Sequence, residues 1–124
     1  MTGTFLIHNH SVFTLFNSGA LYSFISASVV KKLGLKATSE VSLPVTLPTG
    51  EVVNCDTKFE GGEIEIVGSK LPSDFIQFEL GTLDVILGMD WLKKYKASID
   101  CENQKVRFWS NKGESLVYRR TPKL

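Results

Sequence analysis

In Leu15-Phe16-Asn17-Ser18-Gly19-Ala20 an apolar, strand-forming run stops abruptly on a polar break. The residues leading into it, Thr4 to Phe16, are mostly β-branched or aromatic and are interrupted only by His8-Asn9-His10. Two strands joined by a tight turn are therefore expected, with the second, Val12 to Phe16, buried. At the break, Gly19 permits backbone geometry that other residues resist. Beyond it, Ile25, Val29, Val30 and Leu33 fall at helical spacing. Ser23 or Ser26 can cap the start of that helix, Lys31 and Lys32 suit its last turn, and Gly34 can supply a left-handed stop.

Further along, Val41, Leu43, Val45 and Leu47 alternate with Ser42, Pro44 and Thr46 and run into Pro48-Thr49-Gly50, the pattern of a strand that ends at a hairpin tip. Pro44 has no N–H to give to a ladder, so this strand belongs at an edge. The returning arm, Glu51 to Cys55, leads toward Phe59, and Gly61-Gly62 reads as punctuation. Alternation then predicts strands over Glu63 to Ile66 and Phe75 to Leu80, around a loop from Gly68 to Pro72. Asp84 to Gly88 reads as a short buried strand, Met89 to Tyr95 as a brief helix, and Ser98–Cys101, Val106–Trp109 and Leu116–Tyr118 as closing strands. The two buried strands ending at Phe16 and Leu87 each meet a glycine, Gly19 or Gly88, and then a helix. This echo suggests a barrel folded over from two halves; with no short-period repeat, a solenoid is excluded.

The bulk properties agree with one compact domain over residues 1–124. Apolar residues make up 43% and charged residues 22%, and the net charge of +1 comes from interspersed signs. No basic stripe marks a nucleic-acid partner, and the tail Tyr118 to Leu124 reads as a solvated linker. No apolar run approaches the roughly 20 residues needed to span a bilayer. Cys55 and Cys101 lack CxxC spacing and no leader pattern precedes the first strand, so reduced thiols and an intracellular, cytoplasmic setting are expected. No cofactor is implied. His8 and His10 belong to a polar turn and no metal site is expected. Asp84 and Asp90, which flank Val85 to Met89 with Asp90 near a helix start, and Trp91 and Trp109 in apolar surroundings all read as structural. Cys55 reads as a buried or half-buried free thiol.

Taken together, the Asn17 turn, the helix after it, the Pro/Gly-tipped hairpin and Asp84-Val85-Ile86-Leu87-Gly88-Met89-Asp90-Trp91-Leu92 resemble the retropepsins, the aspartic proteases of retroviruses and retrotransposons. The last segment is particularly similar to plant Ty3/gypsy elements, and the retropepsin-like domain of ubiquitin-binding shuttle proteins is a relative at the level of fold. The resemblance covers about residues 4–109, which leaves 110–124 as a final strand and basic tail. The resemblance implies a mainly β, closed acid-protease barrel with one or two short helices, acting as a homodimer that processes a Gag-Pol-type polyprotein. Its partners would be a second copy of itself and a peptide bound as an extended strand, with neither nucleic acid nor membrane. The catalytic positions would be Asn17, Ser18 and Gly19. Ala20, Leu47, Pro48, Thr49, Gly50 and Ile86 would line the substrate, with Val45 to Val53 as a flap. Ser18 would join the two turns across the two-fold axis, and Gly88 would pack behind the turn.

Aspartic proteases need two carboxylates sharing one proton, and a chain with a single such turn must borrow its partner. The family pattern has aspartate where this chain has Asn17. An amide neither takes up nor gives up a proton as an acid or base near neutral pH and cannot act as a general base, so the chain is expected to bind peptide without cutting it. A retropepsin-like module without catalysis, for dimerisation or peptide binding, is the contrasting reading. Ala20-Leu21-Tyr22-Ser23 also departs from the small or hydroxyl-bearing residues common after the motif.

Overall fold

A computed structural model describes residues 1–46 and 49–120. The chain opens with strands β1 (Thr2–Ile7) and β2 (His10–Phe16), paired antiparallel from Thr2↔Leu15 to Ile7↔His10. His8 and Asn9 carry positive φ of 49° and 63°, the left-handed turn whose twist matches that of a two-residue hairpin. His10 Nδ1 lies 2.9 Å from the His8 carbonyl, so the polar turn accounts for this pair as expected. Alternation puts Phe5, Ile7, Val12 and Phe16 inside. Phe13, on the other face of β2, is 40% exposed, so the strand is buried on one face and not throughout.

After the Asn17 turn come β3 (Phe24–Ile25) and helix α1 (Ala27–Leu33). Ser26 caps the helix, its hydroxyl accepting from the Val29 N–H at 3.2 Å, and Gly34 ends it in the left-handed conformation. Two residues expected in or at the start of this helix lie outside it. Ile25 is in β3, because β6 and β7 offer it ladder partners in Gln77 and Val85, and Ser23 is engaged elsewhere.

The remaining elements are β4 (Ser39–Thr46), β5 (Val52–Ile66), β6 (Ser69–Gln77), β7 (Val85–Leu87), α2 (Met89–Lys94), β8 (Ser98–Asp100), β9 (Lys105–Trp109) and β10 (Ser115–Arg119). The main sheet runs β1-β2-β7-β3-β6-β5-β4, and Leu6 of β1 pairs with Glu65 of β5. That pairing closes β1, β2, β7, β3, β6 and β5 into a six-stranded barrel and leaves β4, with Pro44, on the outer edge where a proline is tolerated. β10-β9-β8 form a second sheet. The fold is the mainly β barrel with two short helices that the pattern implied.

Gly61-Gly62 and Pro72 departed from their expected places. Gly61-Gly62 is a bulge inside one long β5, where Gly61 (φ 69°) gives its N–H to the Asp74 carboxylate at 2.9 Å. The turn lies instead at Val67-Gly68, with φ of 52° and 74°. Pro72 sits within β6 opposite Glu63, not in a loop, and β6 ends at Gln77. Over this stretch β3 reaches β6 only at Ile76 and Gln77. The Pro72 carbonyl is therefore free to accept the Tyr95 hydroxyl and, at 3.2 Å, the Lys94 ammonium.

Among the described residues two apolar clusters form the interior. The larger joins the barrel to α2 and the small sheet, and Trp91 stands at its centre, 5.8 Å from the rings of Phe16 and Phe108 and 5.0 Å from Tyr95. The smaller gathers Phe24, Cys55 and Ile76. Trp91 is core, whereas Trp109 is a rim residue, 44% exposed.

Burial, and secondarily the charge of Asp74, pushes the Tyr95 hydroxyl up to about 12. A tyrosine whose folded pKa exceeds its unfolded value contributes stability that is intact below pH 10 and lost as the pH rises toward 12. Urea midpoints measured across that range should fall, and Tyr95→Phe should flatten the fall. An unchanged alkaline slope in the variant would remove Tyr95 as its source.

Candidate active site

The Asn17 turn hangs between two strands of the barrel. β2 and β7 run parallel, with Phe16 beside Leu87, and the ladder carries one step further as the Asn17 N–H donates to the Leu87 carbonyl at 3.0 Å. The chain then reverses: the Ala20 N–H donates to the Asn17 carbonyl at 3.2 Å, and the Gly19 N–H to Asn17 Oδ1 at 2.9 Å. Asn17 is thus half-buried at the base of the turn, with its side chain held and Ser18 and Gly19 exposed at the tip. Glycine suits the tip, since a Cβ on Gly19 would stand 3.1 Å from Asn17 Oδ1.

Gly88 is the counterpart behind the turn. A Cβ there would lie 2.2 Å from the Tyr22 carbonyl oxygen and 2.8 Å from that of Ala20, both backbone atoms. The absence of a side chain lets the two segments touch, and hydrogen bonds then lock them. The Met89 N–H donates to the Ala20 carbonyl at 2.7 Å and the Asp90 N–H to that of Leu21 at 3.2 Å. Ser23 completes the clamp: its buried hydroxyl donates to Asp90 Oδ1 at 2.6 Å and accepts from the Gly88 N–H at 3.0 Å. Asp90 also accepts from the Ser23 N–H and from the Trp91 N–H, in the first turn of α2. Asp84 has a similar task at the far end of β7, where its carboxylate accepts the Phe13 N–H at 2.7 Å. Both aspartates are structural, as expected. Ser23 is the residue that sequence reasoning misplaced; its partner lies 67 positions away, and nothing local marks it.

Of the other residues singled out, Ala20 and Ile86 come together. Both pack on the smaller apolar cluster with Leu43 and Val45 of β4, beside Phe24 and Cys55. Leu43 and Val45 could have been found from the period-two pattern alone. Thr49 and Gly50 are exposed at the tip of the β4–β5 hairpin, with Gly50 at φ 88°, and the last ladder pair before the tip is Thr46↔Val52. Leu47 and Pro48 lie outside the described residues. Leu21 and Tyr22, just past the turn, are 72% and 41% exposed.

Alongside the turn opens a depression of about 660 Å³ bordered by Asn17, Ser18, Met1, Met89, Ala97 and Ile99. Cys101 also reaches it and is exposed, while Cys55 is buried; both thiols are free. Burial, with Asp56 adding to it, pushes the Cys55 thiol up, which keeps it protonated and unsuited to nucleophilic attack. Among the described residues no three His, Cys, Asp or Glu side chains are gathered in a way that could hold a metal.

This arrangement has counterparts among known proteins. Over residues 1–114 the sequence matches the family described as retroviral aspartyl protease. A curated relative, the UBA domain-containing protein Mud1 of Schizosaccharomyces pombe, is 27% identical over 121 residues, which is 95% of this chain and 36% of Mud1. The chain thus spans about a third of that relative's length. The retroviral protease-like domain of Ddi1 from Leishmania major superposes with a TM-score of 0.70 at 19% identity, covering 87% of this chain and 86% of that one. EIAV protease, solved with the inhibitor HBY-793, superposes with a TM-score of 0.60 at 18% identity over 76% of this chain and 86% of that one. At such identities the two structures speak to the fold alone, and the fold they share with this chain is the closed barrel. From the match over residues 1–114, this chain belongs to the retroviral aspartyl protease family.

Proposed function

We propose that the chain is the peptide-binding half of a homodimeric retropepsin, of the kind that processes a retrotransposon polyprotein of the plant Ty3/gypsy type, and that Asn17 leaves it hydrolytically inert. The observation that carries this is the intact clamp around an altered residue: the turn is held to Gly88, Ser23 and Asp90 although it carries an amide in place of the acid. In this reading the depression beside Asn17 and Ser18, with apolar Met89, Ala97 and Ile99 on its wall, receives the same turn of a second copy. Ser18, exposed at the tip, meets its equivalent across the two-fold axis. The β4–β5 hairpin closes over an extended peptide, whose backbone pairs as an added strand while Ala20 and Ile86 face its apolar side chains. Mud1 and the Ddi1 domain favour a second reading, a retropepsin-like module of a longer protein outside any polyprotein.

Sedimentation and peptide titration test the proposal on the chain as it stands. The mass should approach twice 13.8 kDa at high concentration, and extended apolar peptides should bind and be recovered uncut. A monomer at every concentration would undermine the shared site. Cleavage by freshly made protein would overturn the assignment of inertness to Asn17.

A further inference from the structure

Of the five asparagines, Asn17 alone precedes a serine; Asn9, Asn54, Asn103 and Asn111 precede His10, Cys55, Gln104 and Lys112. An asparagine loses its side-chain amide when the backbone nitrogen of the next residue attacks Cγ, and a small next residue obstructs that attack least. The turn adds three favourable features. Ser18 and Gly19 are exposed, so water reaches the site. The Gly19 N–H donates to Asn17 Oδ1 at 2.9 Å, which withdraws electron density from Cγ and leaves the NH₂ group outside that bond. The backbone hydrogen bonds that shape the turn start from the N–H groups of Asn17 and Ala20, so the Ser18 nitrogen can react without breaking either. Asn54, by contrast, lies within β5 opposite Pro44, and the Asn103 side chain is tied to Asp100 at 2.9 Å.

We infer that Asn17 is a latent catalytic acid, converted spontaneously to aspartate with water as the co-reactant, so that the chain gains peptidase activity with age. The Ser18 nitrogen gives its proton to solvent and bonds to Cγ; the Cγ–NH₂ bond breaks and the nitrogen leaves as ammonia. Water then opens the resulting succinimide. Opening at the Cγ–N bond restores the normal backbone with an aspartate side chain; opening at the main-chain carbonyl gives the isoaspartyl form, whose lengthened backbone does not fit the turn. No electrons are exchanged. The inference rests on the reading of the site as that of a retropepsin. Because the two carboxylates share one proton, both chains of a dimer need the acid. Activity should therefore rise as the square of the fraction converted, not in proportion to it.

The test is to age the purified protein warm and mildly alkaline, against a cold, acidic control, while peptide mapping follows the mass at position 17 and a peptide panel at acidic pH follows cleavage. Acid should accumulate at position 17 well ahead of the other four asparagines, and cleavage should follow it quadratically. By mass alone, Ser18→Gly should convert several-fold faster and Ser18→Ile several-fold slower, while Asn17→Gln should stay an amide. Retention of the amide over a period in which an unstructured peptide of the same sequence converts would overturn the inference, as would cleavage that grows with no acid at position 17. The underlying reading fails separately: an encoded Asn17→Asp protein that folds, dimerises and cuts nothing counts against the protease, whatever the mass map shows.

Discussion

On the proposed function, Asn17→Asp is expected to make the chain an endopeptidase, with a gain of about 10²–10⁴-fold in peptide hydrolysis, the range attributed to a positioned general acid–base group. The substitution changes an NH₂ to an oxygen in a side chain already held by the Gly19 N–H, and a carboxylate accepts that hydrogen bond at least as well as an amide does. Geometry is conserved and chemistry is added. In the proposed dimer two carboxylates then face each other at close range, where both cannot stay ionised, so their protons should come off in two separated steps and the pH–rate profile should be bell-shaped with an acidic optimum. The same repulsion makes a second prediction inside the first. Near neutral pH the chain with Asn17 should dimerise more tightly than the Asn17→Asp variant, and the difference should shrink on acidification as the pair of carboxylates takes up its shared proton. Peptide cleavage and sedimentation across the pH range measure both. A folded, dimeric Asn17→Asp protein that cleaves no peptide would favour the module without catalysis.

Gly88→Ala should do the most structural damage of any single methyl group added to the site. Overpacking a well-packed interior costs about 1–3 kcal/mol when side chains can move aside. Here the obstacle at 2.2 Å is the Tyr22 carbonyl, part of a segment pinned by Ala20, Leu21 and Ser23, so the cost should reach or exceed the top of that range. Domains of this size are stable by about 5–15 kcal/mol, so a large share of the margin is at stake. The loss should appear as a lower thermal midpoint and, in the proposed dimer, as weakened association, because the turn that moves is the one placed there against the partner. Gly19→Ala is the natural control: its nearest obstacle is the Asn17 side-chain oxygen at 3.1 Å, which can give way, and the thermal midpoint should hardly change. Equal losses in the two variants would mean that Gly88 is not the contact that seats the turn.

Much of the fold was written in short stretches of the chain. The hairpin from β1 to β2, the helix ended by Gly34, the edge position of Pro44 and the closing strands follow from alternation, helical spacing and turn residues, which are local properties. Where local signals misled, a distant partner had intervened. Ile25 left the helix for ladder partners in β6 and β7, and Gly61-Gly62 became a bulge because β6 lay ready to pair on either side of it. Pro72 could enter a strand only because β6 is unladdered toward β3 at that point, which frees its carbonyl for Tyr95.

The division is sharpest at the site. Asn17-Ser18-Gly19 and Leu87-Gly88 are legible from their order along the chain, each at a point where a buried strand stops at a glycine before a helix. That order carried the resemblance to the retropepsins, and with it the proposal that an acid is missing at position 17. What holds the turn in place, Ser23 against Asp90 and the bare Gly88 beneath the Tyr22 carbonyl, was decided only in three dimensions, because contacts across 65 or more residues depend on how the barrel closes and leave no periodic trace in the chain.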